Sequence, residues 1–326
     1  MVTKQLINLK FKKCAEAVSE VFCTSCKSYS TKTYLQHIGT SQILSEEQYK
    51  AGQTFVHKIL AYRGVVLHPW NVHVYERNSQ KASSEKEAEK LLPKLNTDTY
   101  YQVLMDSRDL KNNQNILPND GITFLHKETS DRNKCLYSVP GVDYVSHVDI
   151  IPYESAEEVP IHHGLYSEFL AKDSDTKEIK GTETLENWQK VHHQSLEIDK
   201  VHKETTKNFR VTVIPFFLGM KQTISTQACD YWWRYTIRIE NLSSTPATLR
   251  ERHWQIVSNG SVKTVRGRGV TGSEPMLSEA RPVFQFSSHI SLQSPNGTVW
   301  GTFRLEQEDG KQFEAGIPAF SLESKL

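Results

Sequence analysis

The sequence predicts a mainly β protein, with two β modules joined by a partly helical connector. Two stretches, 50–154 and 205–326, carry short runs of β-branched and aromatic residues that alternate with polar ones and end at glycine, proline and asparagine turns. The stretch between them, 155–204, loses that alternation. Strands do not alternate with helices of βαβ length, which argues against a parallel α/β sheet. A chain of 326 residues suits about two domains.

Composition narrows the classes further. A hydrophobic share of 37% and a charged share of 24% provide for real cores and exclude a disordered chain. The net charge of +1 excludes nucleic-acid binding driven by overall charge, so any contact with DNA rests on a local patch. No run of about 18 apolar residues occurs, so no membrane partner is expected.

Residues 1–33 differ from the rest. Ile7, Phe11, Cys14, Val18 and Val21 recur at helical spacing, with Lys4, Lys10, Lys12 and Lys13 around them. A basic amphipathic start followed by "TSCKSYSTKT" resembles a mitochondrial transit peptide, cut before Ser30. The absence of arginine and the presence of Glu16 and Glu20 depart from that pattern. The alternative is an amphipathic helix docked on the fold. The five cysteines are an odd number and widely spread, which suits a reducing compartment. Cys23 and Cys26 form a C-x-x-C without the second pair that a zinc site needs.

In the first module, Val65, Val66 and Leu67 follow Gly64, and Val72 and Val74 alternate with His73 and Tyr75. The charged run "SQKASSEKEAEKLLPKL" reads as a surface insertion over 79–95. Strands resume at "TYYQVLMD", "GITFLHK" and "VSHVDIIPY", and the irregular turns between them suggest a small barrel. Arg63, Trp70 and Tyr75 are the candidate contact residues here, because interfaces favour arginine and aromatic groups. The competing role for these aromatics is to fill the barrel core. The motif "H-K-x-x-x-Y-R-G-V-V", Trp70 and "Y-Y-Q-V-L-x-D" resemble the YccV/HspQ domain family. That resemblance implies an SH3-like barrel, no enzymatic activity, and an association with hemimethylated DNA and protein quality control.

In the connector, Leu185, Trp188, Val191 and Leu196 form a helical packing stripe. His162, His163, His192, His193 and His202 invite a metal reading, but adjacent histidines diverge on a helix, so no metal is expected.

The second module reads as about seven strands in a two-sheet sandwich. "YWWRYTIRIENL" places Trp233, Tyr235, Ile237 and Ile239 on one face and Trp232, Arg234, Thr236 and Arg238 on the other. Asn296-Gly297 and Asp309-Gly310 are hairpin signals. Gly267, Gly269 and Gly272 spell G-x-G-x-x-G, the spacing that cradles a pyrophosphate in dinucleotide-binding proteins. That fingerprint requires a helix opening on the last glycine, and "SEPMLSEARP" supplies none of useful length, so no dinucleotide cofactor is expected. The glycines instead serve a loop with unusual backbone angles. Arg250, Arg252, Arg266 and Arg268 offer a basic patch for an acidic segment or a phosphate backbone, unless glutamates such as Glu240 and Glu251 neutralise them.

"G-R-G-V-T-G-S-E-P-x-L", "F-Q-F-S-S", "L-x-S-P-N-G-x-x-W-G" and "F-x-x-x-I-P-A-F-S-L" resemble the ApaG domain family, which implies a fibronectin type III-like sandwich and an interaction module. The two modules in this order, with "Y-W-W-R-Y" and "L-R-E-R-H-W", resemble the polymerase delta-interacting protein 2 family. That resemblance implies a mitochondrial and nuclear adaptor. Its implied partners are the small subunit of DNA polymerase delta, the sliding clamp, a primase-polymerase and a mitochondrial AAA+ protease. The expected docking site is the groove between the modules. The alternative is direct DNA binding through the barrel in the mitochondrial nucleoid. No G-x-S-x-G, H-E-x-x-H or Walker motif occurs, so catalysis is not expected.

Overall fold

The computed structural model describes residues 37–79, 92–110, 113, 115–117, 121–126, 135–222 and 228–325. The expected transit peptide, the C-x-x-C and most of the charged insertion lie outside the described residues. The strands of the first module are β1 (Gly39–Ser41), β2 (Thr54–His57), β3 (Arg63–Asn78), β4 (Lys94–Met105), β5 (Gly121–Leu125), β6 (Leu136–Pro140), β7 (Val142–Ser146) and β8 (Ile150–Ser155), with a one-turn helix α1 (Ser107–Leu110) after β4. The connector holds a one-turn helix α2 (Tyr166–Phe169), the short strands β9 (Leu170–Lys172) and β10 (Ile179–Gly181), and the helix α3 (Glu183–Leu196). Then come β11 (Lys200–Thr206), β12 (Phe209–Gln222), β13 (Cys229–Asn241), β14 (Ala247–Ser258), β15 (Ser261–Arg268), β16 (Met276–Leu277), β17 (Val283–Leu292), β18 (Asn296–Gln307) and β19 (Gln312–Glu323).

In the first module the order is β8-β2-β3-β4-β7. A 3-10 turn, His147–Asp149, links β7 to β8, and no ladder joins those two strands among the described residues, so the barrel stays open. A bulge between Val66 and His68 bends β3 and explains why Val65, Val66 and Leu67 are all buried despite being consecutive. Past the bend, β3 continues far beyond the barrel. Its residues His73–Asn78 pair in parallel with Lys200–Thr205 of β11, which itself pairs with β12. The ladder then continues through β13 to β17, so one ten-stranded sheet carries strands of both modules.

The second module is a sandwich. β11, β12, β13 and β17 face β14, β15, β16, β18 and β19 across a core that includes Val211, Val213, Trp233, Ile237, Leu249, Trp254, Phe303, Leu305 and Phe320. Asp309-Gly310 turns β18 into β19, with Gly310 at φ +82°. Asn296-Gly297 is not a hairpin turn, because β17 and β18 belong to different sheets and both residues lie inside β18. The two-residue hairpin lies instead at Asn259-Gly260, with φ +50° and +70°, between β14 and β15.

The connector joins the modules through a docked helix and also through strand pairing. α3 is capped by Thr182, whose hydroxyl accepts from the Leu185 amide, and it buries Leu185 and Leu196. Trp188 packs against Phe169 and Phe124. Val191 is 77% exposed and falls outside the stripe. The helix shares one apolar cluster with Tyr144 of the barrel and Phe216 of β12, and the strand pairing of β3 with β11 carries the sheet from one module into the other.

Candidate interaction surfaces

Alternation on β13 separates its two faces, and both are buried. Trp233, Ile237 and Ile239 enter the sandwich core. On the opposite face Arg234, Thr236, Arg238 and Glu240 are each less than 10% exposed, because the first module covers them. The Arg234 guanidinium donates to the Gly121 carbonyl at 2.6 Å and lies over the Phe216 ring at 4.0 Å. Arg238 donates to Gln285 Oε1 at 2.9 Å and pairs with Asp149 at 3.2 Å. Gln285 donates in turn to Asp143 Oδ1 at 2.9 Å, and Asp143 Oδ2 accepts from the Tyr62 hydroxyl at 2.8 Å. One buried chain of hydrogen bonds therefore runs from the barrel core to the back of the sandwich. Burial alone would lower the Arg238 pKa, but Asp143 and Asp149 outweigh it and hold the guanidinium charged. Burial, then the charge of Asp143, pushes the Tyr62 hydroxyl well above its ordinary range. The polar face of β13 thus reads outward from its own sandwich without meeting solvent.

The groove between the modules is correspondingly narrow. A cavity of about 50 Å³ lies among Tyr100, Asp149, Lys203, Arg210, Arg238 and Glu240. A second, of about 10 Å³, lies beside Arg234. These have room for a water or two, against the several hundred Å³ of a ligand pocket. The expectation that a partner docks in this groove is not supported, because complementary side chains have closed it.

The three candidates of the first module are engaged internally. The Arg63 guanidinium makes two hydrogen bonds of 2.9 Å to Asp109, and its own amide donates to Asp109 at 2.8 Å. Arg108 holds the fully buried Asp106 and reaches Glu157 at 3.0 Å. Burial alone would raise the Asp106 carboxyl, but hydrogen bonds from Arg108 outweigh it and keep the group below its ordinary range. This cluster pins α1 between β3 and the segment after β8. Trp70 is half-buried between His68 and His193 of α3. Tyr75 stacks on His202 in the β3–β11 pairing. Pairing with Asp109 for Arg63, and packing against histidines for Trp70 and Tyr75, are the roles the structure gives these groups.

In the second module the four arginines separate. Arg250 pairs with Glu274 at 2.8 Å and Glu306 at 3.2 Å. Arg252 lies across Gly267, its direct partner on β15, and donates to the carbonyls of Arg268 and Gly269 at 3.0 and 2.7 Å. A Cβ on Gly267 would come within 2.8 Å of that guanidinium. A Cβ on Gly269, at φ +55°, would collide with the Ser273 carbonyl. Thr271 and Gly272, at φ +48° and +82°, form a tight turn closed by mutual hydrogen bonds of Val270 and Ser273. The glycine spacing therefore serves an arginine-clamped hairpin, not a strand-to-helix phosphate loop. Arg266 contacts His253, and Arg268 pairs with Glu274 while remaining 81% exposed. The glutamates that neutralise the patch are Glu274 and Glu306, whereas Glu240 pairs with Arg210 and Glu251 with Arg304.

Sequence reasoning marked Tyr62 as an aromatic of the first module but did not single out Asp143, Asp149 or Gln285. The one local signal was the charge of Arg234, Arg238 and Glu240 inside the most aromatic strand of the chain.

Comparison with known proteins matches this architecture module by module. A family model described as "Hemimethylated DNA-binding protein YccV like" covers residues 47–177, and the ApaG domain model covers residues 221–307. Protein ApaG of Methylobacterium sp. (strain 4-46) is 40% identical over 124 residues, 38% of this chain and 93% of that protein. The human and mouse proteins named polymerase delta-interacting protein 2 are each 47% identical over 299 residues, 89% of this chain and 80% of theirs. With that identity over 89% of its length, and a family model on each module, the chain belongs to the polymerase delta-interacting protein 2 family.

Proposed function

We propose that this chain is a non-catalytic adaptor whose two modules act as one rigid body. The observation that carries the reading is the junction. A continuous sheet and a buried polar network fix the barrel against the sandwich, so surfaces on both present themselves to a partner in constant geometry. The relatives' name points to DNA polymerase delta as a partner. We assign its small subunit, the sliding clamp, a primase-polymerase and a mitochondrial AAA+ protease as the partner set. We place the protein in the mitochondrial matrix, reached by way of residues 1–33, with a nuclear pool. No helix among the described residues is long and apolar enough to cross a membrane.

A second reading is direct DNA binding, favoured by the description of the family model over residues 47–177. The test is capture from mitochondrial and nuclear extracts on the full chain, with and without nuclease. The adaptor reading expects polymerase subunits or the protease to be retained after nuclease treatment. Recovery of nucleic acid alone, lost with nuclease, moves the assignment to DNA.

A further inference from the structure

We propose that the free edge of β15 is a docking site for an extended acidic peptide, which joins the sheet as an added strand. This deepens the adaptor reading and rests on it. β15 ends its sheet, pairing with β14 and with no other strand among the described residues. It is straight, since its register with β14 runs without a shift from Ser258–Ser261 to Glu251–Arg268. It holds no proline, and six of its eight residues are exposed. Natural sheet edges are commonly blunted by bulges, prolines, covering segments or charged side chains, and among the described residues this one has only the last.

The register says which backbone groups face outward. The amide of Gly269 donates to the Arg250 carbonyl, so these two form a hydrogen-bonded pair. Pairs of that kind recur at every second residue of an antiparallel ladder. They fall here at Arg252–Gly267, Trp254–Val265, Ile256–Lys263 and Ser258–Ser261. The N–H and C=O of Val262, Thr264 and Arg266 therefore point away from β14 into solvent, as does the N–H of Arg268. The Arg268 carbonyl is already held by Arg252, which sets one end of the docking edge.

Charge chooses the occupant. Residues whose backbone faces outward share one face for their side chains, so Arg266 and Arg268 stand beside the incoming strand at a spacing of two. A peptide with Glu or Asp at alternate positions meets Arg266 directly across the new ladder and competes with Glu274 for Arg268. A second copy of this chain would bring arginine against arginine, which disfavours edge-to-edge pairing of two copies.

The test uses the full chain and a fluorescent (Thr-Glu)5 peptide, read by fluorescence anisotropy. A control peptide is N-methylated at alternate residues, which keeps the charge and removes the strand-forming amides. Binding of the first peptide and a loss of at least tenfold with the second support strand addition. Thr264→Pro, which removes one outward N–H without touching charge, and Arg266→Glu should each weaken binding by at least tenfold. Amide exchange should slow at Val262, Thr264 and Arg266 in the complex. Equal binding of the two peptides, with Thr264→Pro silent, would show a contact of charge alone and overturn the proposal. A single-stranded oligonucleotide that displaces the peptide and binds independently of Thr264→Pro overturns it too, in favour of nucleic acid. If the peptide fails while polymerase subunits are still captured from extract, the edge assignment falls and the adaptor reading stands.

Discussion

Tyr75 of β3 lies flat against His202 of β11, with ring centroids 5.2 Å apart and planes 13° from parallel. The two are direct partners in the parallel ladder that carries the sheet from one module into the other. Burial, then the charge of Lys200, lowers the His202 pKa to about 4. The folded form therefore keeps this imidazole neutral where the unfolded chain protonates it. Its contribution is complete above the ordinary value of 6.5 and is lost as pH falls from there toward 4. Between pH 7 and pH 5 the loss from this residue amounts to about 2 kcal/mol. His202→Phe keeps an aromatic ring against Tyr75 and should shrink the pH dependence of urea unfolding by that amount. An undiminished pH dependence in the variant would assign the effect to other groups.

The Arg238 network should dominate the polar contribution at the junction. Arg238→Met leaves Asp149 and Gln285 with a lost partner in a buried site, and removing one member of a buried charged pair costs about 3–5 kcal/mol. Arg268→Ala, at an exposed ion pair, should leave the unfolding midpoint nearly unchanged. Equal effects from the two variants in chemical denaturation would contradict the burial of the network.

The three glycines of G-x-G-x-x-G should respond unequally. Gly269→Ala places a Cβ against the Ser273 carbonyl at a positive φ and should cost about 1–3 kcal/mol. Gly267→Val should displace the Arg252 guanidinium and loosen the loop. Gly272→Asn, at φ +82° with open space around it, should be tolerated. Thermal melts of the three variants check the order, which a shared phosphate-binding role would not produce.

Trp188→Ala should destabilise the protein by about 2 kcal/mol, as expected for removal of a half-buried indole. It should leave the spacing of the modules intact, because β3 and β11 hold them. Small-angle scattering should give an unchanged radius of gyration. Expansion of the variant would return the structural joint to α3.

The fold class was legible because each module repeats local signals. Alternation marks β13, and the turn chemistry of Asp309-Gly310 marks the β18–β19 hairpin. The Asn259-Gly260 turn carried the same signal and was open to the same reading. The junction was not legible, since β11 pairs with a strand more than a hundred residues earlier, and short-range pattern carries no record of such a partner. Alternation also says which residues leave one core without saying what receives them. It set Arg234 and Arg238 opposite Trp233 and Ile237 without naming the first module as their cover. Arg252 looked like part of a patch because its target is backbone, and backbone is invisible to composition.

Residue-resolved hydrogen exchange over the β3–β11 ladder tests the central claim most directly. If the two modules are one body, the amides paired between His73–Asn78 and Lys200–Thr205 exchange only through global unfolding, with the same protection as Val65 in the barrel and Val213 in the sandwich. Faster exchange along that ladder, while Val65 and Val213 stay protected, would show the modules parting as independent units and would contradict the account.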